Sequence, residues 1–139
     1  MSVRTTSAVL AAALFAACAP PPSTEVFLRS DGTGEYSFPA DLSDTLSTYD
    51  ISFYTVIDRP ALAWRDTLVS FPMHVIWRSP SGRFFSETVY YPADKSRVLY
   101  RKGLVPGEAG EWTVTVSMDP EPQGMRGLGL EIDKNAMSL

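Results

Sequence analysis

From Glu25 onward, hydrophobic and polar residues alternate with a period of two rather than 3.6, which divides the side chains between the two faces of extended strands. Residues 49–57 show it most clearly. Tyr49, Ile51, Phe53, Thr55 and Ile57 fall on one face, with Asp50, Ser52, Tyr54 and Val56 on the other. Residues 111–118 repeat the pattern, with Trp112, Val114, Val116 and Met118 predicted inward and Glu111, Thr113, Thr115 and Ser117 outward. A hairpin is predicted where residues 68–78 meet 84–91 across Ser79-Pro80-Ser81-Gly82, since Pro80 presets the turn and Gly82 relieves its last position. Pro72 marks an edge or a bulge in its first arm. In the second arm, Phe85, Glu87, Val89 and Tyr91 oppose Phe84, Ser86, Thr88 and Tyr90, so both faces carry rings.

Weaker alternation places short strands at residues 26–28, 35–38, 97–101 and 128–133, with Pro39 expected to stop the second of these. Residues 41–46 fit either a capped helical turn or a loop. Residues 61–67 fit a helical turn or a wide connection anchored by Trp64. About seven or eight short strands without an amphipathic helix predict an all-β fold, an antiparallel β-sandwich of jelly-roll or Ig-like type.

A different pattern occupies residues 1–17. Arg4 is their only charge, and an apolar run from Ala8 to Ala17 leads directly to Cys18, the chain's single cysteine. A basic start, about 10 apolar residues and small residues before a cut site read as a secretory signal. The run falls short of the roughly 20 residues a membrane-spanning helix needs. A cysteine after Phe15-Ala16-Ala17 is similar to a bacterial lipobox, in which lipid joins the sulfur and the cysteine becomes the new N-terminus. Ala19-Pro20-Pro21-Pro22-Ser23-Thr24 then reads as a tether, extended at about 3.1 Å per residue and able to hold a domain some 15–20 Å off the bilayer. The expected organisation is a lipoprotein signal peptide over 1–17, a lipidated Cys18 and Pro-rich tether over 18–24, and a sandwich over 25–139.

Composition narrows the function classes. The chain has 12 basic and 16 acidic residues, and removing the signal with Arg4 leaves 11 − 16 = −5. A mildly acidic body without basic runs argues against nucleic acid and against charge-driven docking on anionic lipid. Attachment to a membrane then falls to the lipid, and no internal disulfide is available. Ala19, after the cysteine, is not the aspartate that retains some lipoproteins at the inner membrane, so an outer-membrane location is expected.

Candidate chemistry is sparse. His74 is the sole histidine, on the outward phase of its strand, so a triad or multi-histidine metal site would have to be built around it alone. Acid pairs occur at Asp41 and Asp44, Asp50 and Asp58, and Glu108 and Glu111, all in turns or on solvated faces. Asp31-Gly32-Thr33-Gly34-Glu35 could offer oxygens to calcium but reads as a turn. No enzyme activity, metal or cofactor is expected. Tyr54, Trp64 and Tyr90 are the candidates for an exposed aromatic surface that seats a protein partner or stacks on a sugar ring.

Several stretches resemble the gliding-motility lipoprotein H family of Bacteroidetes-type bacteria. They are Tyr49-Asp50-Ile51-Ser52-Phe53-Tyr54, the hairpin from Trp77 to Gly82 with Glu87-Thr88-Val89-Tyr90, Gly110-Glu111-Trp112-Thr113-Val114, and the tail from Met125 to Lys134. The resemblance implies a non-catalytic, lipid-anchored β-sandwich in an envelope assembly for motility or protein secretion. It brings no catalytic residue. A carbohydrate-binding sandwich at the cell surface is the alternative.

Overall fold

The computed structural model describes residues 23–58 and 70–136. Cys18, residues 19–22 of the tether and Trp64 lie outside the described residues. The described chain forms eight strands: β1 (Ser23–Arg29), β2 (Glu35–Leu42), β3 (Ser47–Ile57), β4 (Ser70–Arg78), β5 (Phe84–Pro92), β6 (Arg97–Leu104), β7 (Gly110–Ser117) and β8 (Met125–Ala136). They build two four-stranded sheets, ordered β1-β8-β3-β6 and β2-β7-β4-β5. All pairings are antiparallel.

First pairs with last, second with seventh, third with sixth and fourth with fifth. That is one long hairpin rolled over on itself, and of the two expected architectures it is the jelly roll. The alternation explains the packing. In β2 the buried positions are every second residue, and their side chains (Tyr36, Phe38, Ala40 and Leu42) meet those of β3, β4, β7 and β8 in a single core. Phe38, Ile51, Val75, Val114, Val116 and Leu128 are fully buried.

Several element boundaries differ from expectation: β3 starts two residues early at Ser47, and β6 runs on to Leu104. Pro39 does not end its strand: β2 runs on to Leu42, with Pro39 opposite Thr113. The strand lies at a sheet edge, where proline is tolerated. β1 begins at Ser23, which faces Asp133, so the last two residues assigned to the tether belong to the sheet. β8 starts at Met125 rather than Leu128, because Gly127 and Gly129 pair along both neighbours. Pro72 behaves as an edge proline within an inner strand. β7 meets β4 only from His74 to Arg78, so at Pro72 a single neighbour, β5, is present. Residues 43–46 form a turn, settling the helix-or-loop alternative in favour of a loop.

The hairpin turn is as predicted. Gly82 N donates to Ser79 O at 3.0 Å, and the glycine has φ +93°. This left-handed conformation strains any residue with a Cβ.

Candidate functional site

The two sheets are stapled on one lateral side by β1, β2 and the loop after β7. Ser30 Oγ donates to both Glu121 carboxylate oxygens at 2.8 Å, and Tyr36 Oη donates to the same carboxylate. On the opposite side β5 and β6 are the edge strands, with no further strand paired to either among the described residues, and an aromatic cluster lies between them.

Trp77 is its centre, inward from β4 and 2% exposed. Its cross-strand partner on β5 is Phe85, with the rings near parallel (8°) and centroids 6.1 Å apart. Tyr100 of β6 lies near parallel on another side at 6.2 Å, and Trp112 of β7 meets Trp77 edge-on at 6.1 Å. Such arrangements suit the ring quadrupoles and keep the rings rigid. Polar tips tie the cluster together. Trp77 Nε1 donates to Tyr100 Oη at 3.1 Å, Tyr100 Oη donates to Glu87, and Arg101 Nη2 donates to the same Glu87 oxygen. The Arg101 guanidinium also sits 4.4 Å from the Tyr100 ring centroid. Burial first, then the bond to Glu87, pushes the Tyr100 phenol up to about 12. Tyr100 is therefore a neutral donor at every physiological pH.

Beside this cluster is an apolar cavity of about 120 Å³, lined chiefly by Leu42, Trp77, Phe85, Leu104, Pro106 and Trp112. Small-molecule pockets generally hold about 300–1,000 Å³. A cavity of about 150 Å³ lined by apolar side chains takes a benzene-sized group. This one therefore matches a single aliphatic or small aromatic side chain. Its mouth stays open to water at Phe85 (49% exposed) and Val105 (60% exposed). Residues 105–109 are held over it by two bonds from the hairpin turn, Ser81 N to Glu108 at 2.6 Å and Ser81 Oγ to Glu108 at 2.7 Å. Those Ser81 bonds hold the Glu108 carboxyl below its ordinary range. Trp112 Nε1 donates to the Glu108 carbonyl at 2.8 Å, which fixes the indole against the loop.

No protein-family model matches the sequence, and no curated protein matches it.

Tyr54 and Tyr90 lie on the outer faces of opposite sheets, so the fold does not bring them into one surface. Tyr54 covers backbone. Its ring lies over Gly129 of β8, stacked at 16° on Phe27 with centroids 5.8 Å apart. Arg97 sits 4.9 Å from the Tyr54 centroid and pairs with Glu131 and, at 3.8 Å, with Glu25. Burial, then a hydrogen bond to Glu25, pushes the Tyr54 phenol up to about 12. Tyr90 is 71% exposed on the outer face of β5, across from Pro72.

The remaining candidates make local bonds. His74 Nδ1 is 3.3 Å from Thr88 Oγ1 on an exposed face. Asp31 accepts from Thr33 N and Oγ1, which is ordinary turn chemistry. Asp41 accepts from Ser43, Asp44 from Leu46 N and Ser47 Oγ, and Asp50 from Gly103 N at 2.8 Å. Among the described residues no group of three or more His, Cys, Asp or Glu side chains could hold a metal ion.

The alternation predicts Trp112 inward and leaves Phe85 as one ring of a two-faced arm. The available signal was Glu87, a charge on the same phase as Phe85, Val89 and Tyr91. An acid on an inward phase marks a strand at the open edge of a sandwich.

Proposed function

We propose that the protein is a lipid-anchored lipoprotein of the bacterial cell envelope, placed at the outer membrane. In this reading its sandwich is a non-catalytic module that holds a protein partner at the β5/β6 cleft. Cys18 carries a diacylglycerol and an acylated amine. Several chains together make attachment effectively permanent, at about 0.8 kcal/mol per buried CH₂. The support for the anchor is the leader itself: Arg4, the apolar run to Ala17, and the only cysteine directly behind it. For the module, the carrying observation is the water-open apolar cavity walled by Trp77, Phe85 and Trp112. Its size favours one apolar side chain of a partner, and the Glu87–Arg101 pair at the rim offers polar groups to the partner's backbone. The finer reading, an assembly for gliding motility or protein secretion, rests on the family resemblance.

Val105→Asp is the direct test, since the side chain is exposed and its replacement puts a charge at the cavity mouth without touching the core. Detergent extracts of envelopes should show a protein copurifying with the wild type and lost with Val105→Asp. Equal recovery with both proteins removes the cleft from partner binding.

A second reading, a glycan-binding face, is favoured by the outer side of β5. Phe84 (69% exposed) and Tyr90 (71% exposed) stand there about 20 Å apart, with Ser86 and Thr88 between them. Glycan retention abolished by Tyr90→Ala supports it, and retention unchanged by that substitution removes it.

A further inference from the structure

The four edge strands of the sandwich are not equally guarded. β2 carries Pro39 in its middle, β6 pairs with β3 through two register irregularities and bears Arg97, Arg101 and Lys102, and β1 carries Glu25 and Arg29. These are the devices by which natural sheets discourage added strands. β5 has almost none. It pairs with β4 in unbroken register from Ser70↔Pro92 to Arg78↔Phe84, and residues 84–91 contain no Lys, Arg or Pro. Its one charge, Glu87, is satisfied within the molecule by Tyr100 and Arg101. Among the described residues nothing pairs with its outer edge, and Phe84, Phe85 and Tyr90 are exposed.

We propose that the free edge of β5 pairs with β5 of a second copy of this chain, antiparallel about a two-fold axis at Glu87. The residue order is what selects this occupant. With the axis there, Phe84 faces Tyr90 of the second copy and Ser86 faces Thr88 of the second copy on the outer side. On the inner side, Phe85 faces Val89 of the second copy. Ring meets ring, hydroxyl meets hydroxyl, and an aliphatic group arrives beside Phe85, which lines the cavity. Moving the axis half a residue would put inward residues opposite outward ones. Moving it to Thr88 sets Glu87 against Val89 and Tyr90 against Ser86. The two Glu87 carboxylates meet at the axis, each already neutralised by its own Arg101. The result is a closed, isologous dimer with one eight-stranded sheet across both copies.

The test uses the full chain in detergent, followed by sedimentation, with two paired variants at exposed positions: Phe84→Lys with Tyr90→Lys, and Phe84→Glu with Tyr90→Glu. The wild type should be dimeric. Each variant alone should associate at least tenfold more weakly, because like charges then face each other, and an equimolar mixture should recover a dimer containing one of each. The same measurements on a Cys18→Ser background separate strand pairing from clustering through lipid, independently of whether the anchor reading holds. A wild type that stays monomeric overturns the proposal. So does a dimer that disappears with Cys18→Ser, or one that both paired variants leave intact.

Discussion

Gly129 has no side chain because Tyr54 occupies that space. A Cβ there would fall inside the tyrosine ring, and one at neighbouring Gly127 would strike Phe27. Both glycines point outward from β8, where Leu128 and Leu130 point into the core, so the rings on β1 and β3 serve as the missing outer side chains. Gly129→Ala should therefore lift Tyr54 off the sheet and cost about 1–3 kcal/mol, measured by urea unfolding. Gly32→Ala makes no steric contact but carries φ +89°, so its cost should be backbone strain alone. The phenols give a second residue-scale expectation. Tyr36, Tyr54 and Tyr100 are each raised to about 12, so the folded state holds their protons more tightly than the unfolded state does. Their contribution to stability is complete below about pH 10 and is lost as pH rises from there through about 12. Ultraviolet titration should show late phenolate formation accompanied by unfolding, and Tyr100→Phe should remove one late step. Early titration of these three groups in the folded protein would contradict the burial argument.

At the scale of elements, legibility followed how fully a segment's faces differ. β3, β7 and the β4–β5 hairpin were readable because each has a strict alternation or a turn whose residues leave little choice. β1 was only partly legible: residues 26–28 read as a short strand, but Val26 and Leu28 alone turn inward, and its partner β8 is about a hundred residues away. Pro39 misled because a proline's effect depends on whether the strand is at an edge, and strand order is a property of the whole sheet. The cleft was unreadable for the same reason. Trp77, Phe85, Tyr100 and Trp112 sit on four strands, and only the rolled topology brings β6 beside β5. Tyr54 and Tyr90 looked alike in sequence, and pairing alone separated a ring that covers glycine from one that faces water. The loop over the cavity carries its own prediction. The Glu108 carboxyl is depressed, so the Ser81 staple is at full strength above the ordinary glutamate range and fails as pH falls through and below it. Tryptophan fluorescence should report Trp112 loosening on acidification, and in Glu108→Gln that acid step should be gone. An acid step of the same size in Glu108→Gln would exclude the staple as its cause.

At the scale of the molecule, a mildly acidic chain that opens with a strongly apolar run folds, in its described residues, around one continuous core. Asp41, Asp44, Asp50, Asp58 and Glu108 are engaged in turn bonds, cross-strand bonds or ion pairs, Tyr54, Phe27 and Arg97 pack over the outer face of one sheet, and among the described residues the β5 and β6 side carries Phe84, Phe85, Tyr90 and Leu99 as exposed apolar side chains. On the proposed reading, such a body acts by holding a partner in place. Tethering it to a membrane raises its local concentration for any partner in the same envelope and restricts how the open side is presented. The whole reading depends on what the sulfur of Cys18 carries. The most direct measurement is intact-mass analysis of the mature protein taken from native envelopes. The account predicts a chain beginning at Cys18 with a diacylglycerol thioether and an acylated N-terminus, and loss of both, with release from membranes, in Cys18→Ser. A mature chain with a free thiol, or one cut beyond residue 18 with no acyl mass, would contradict it.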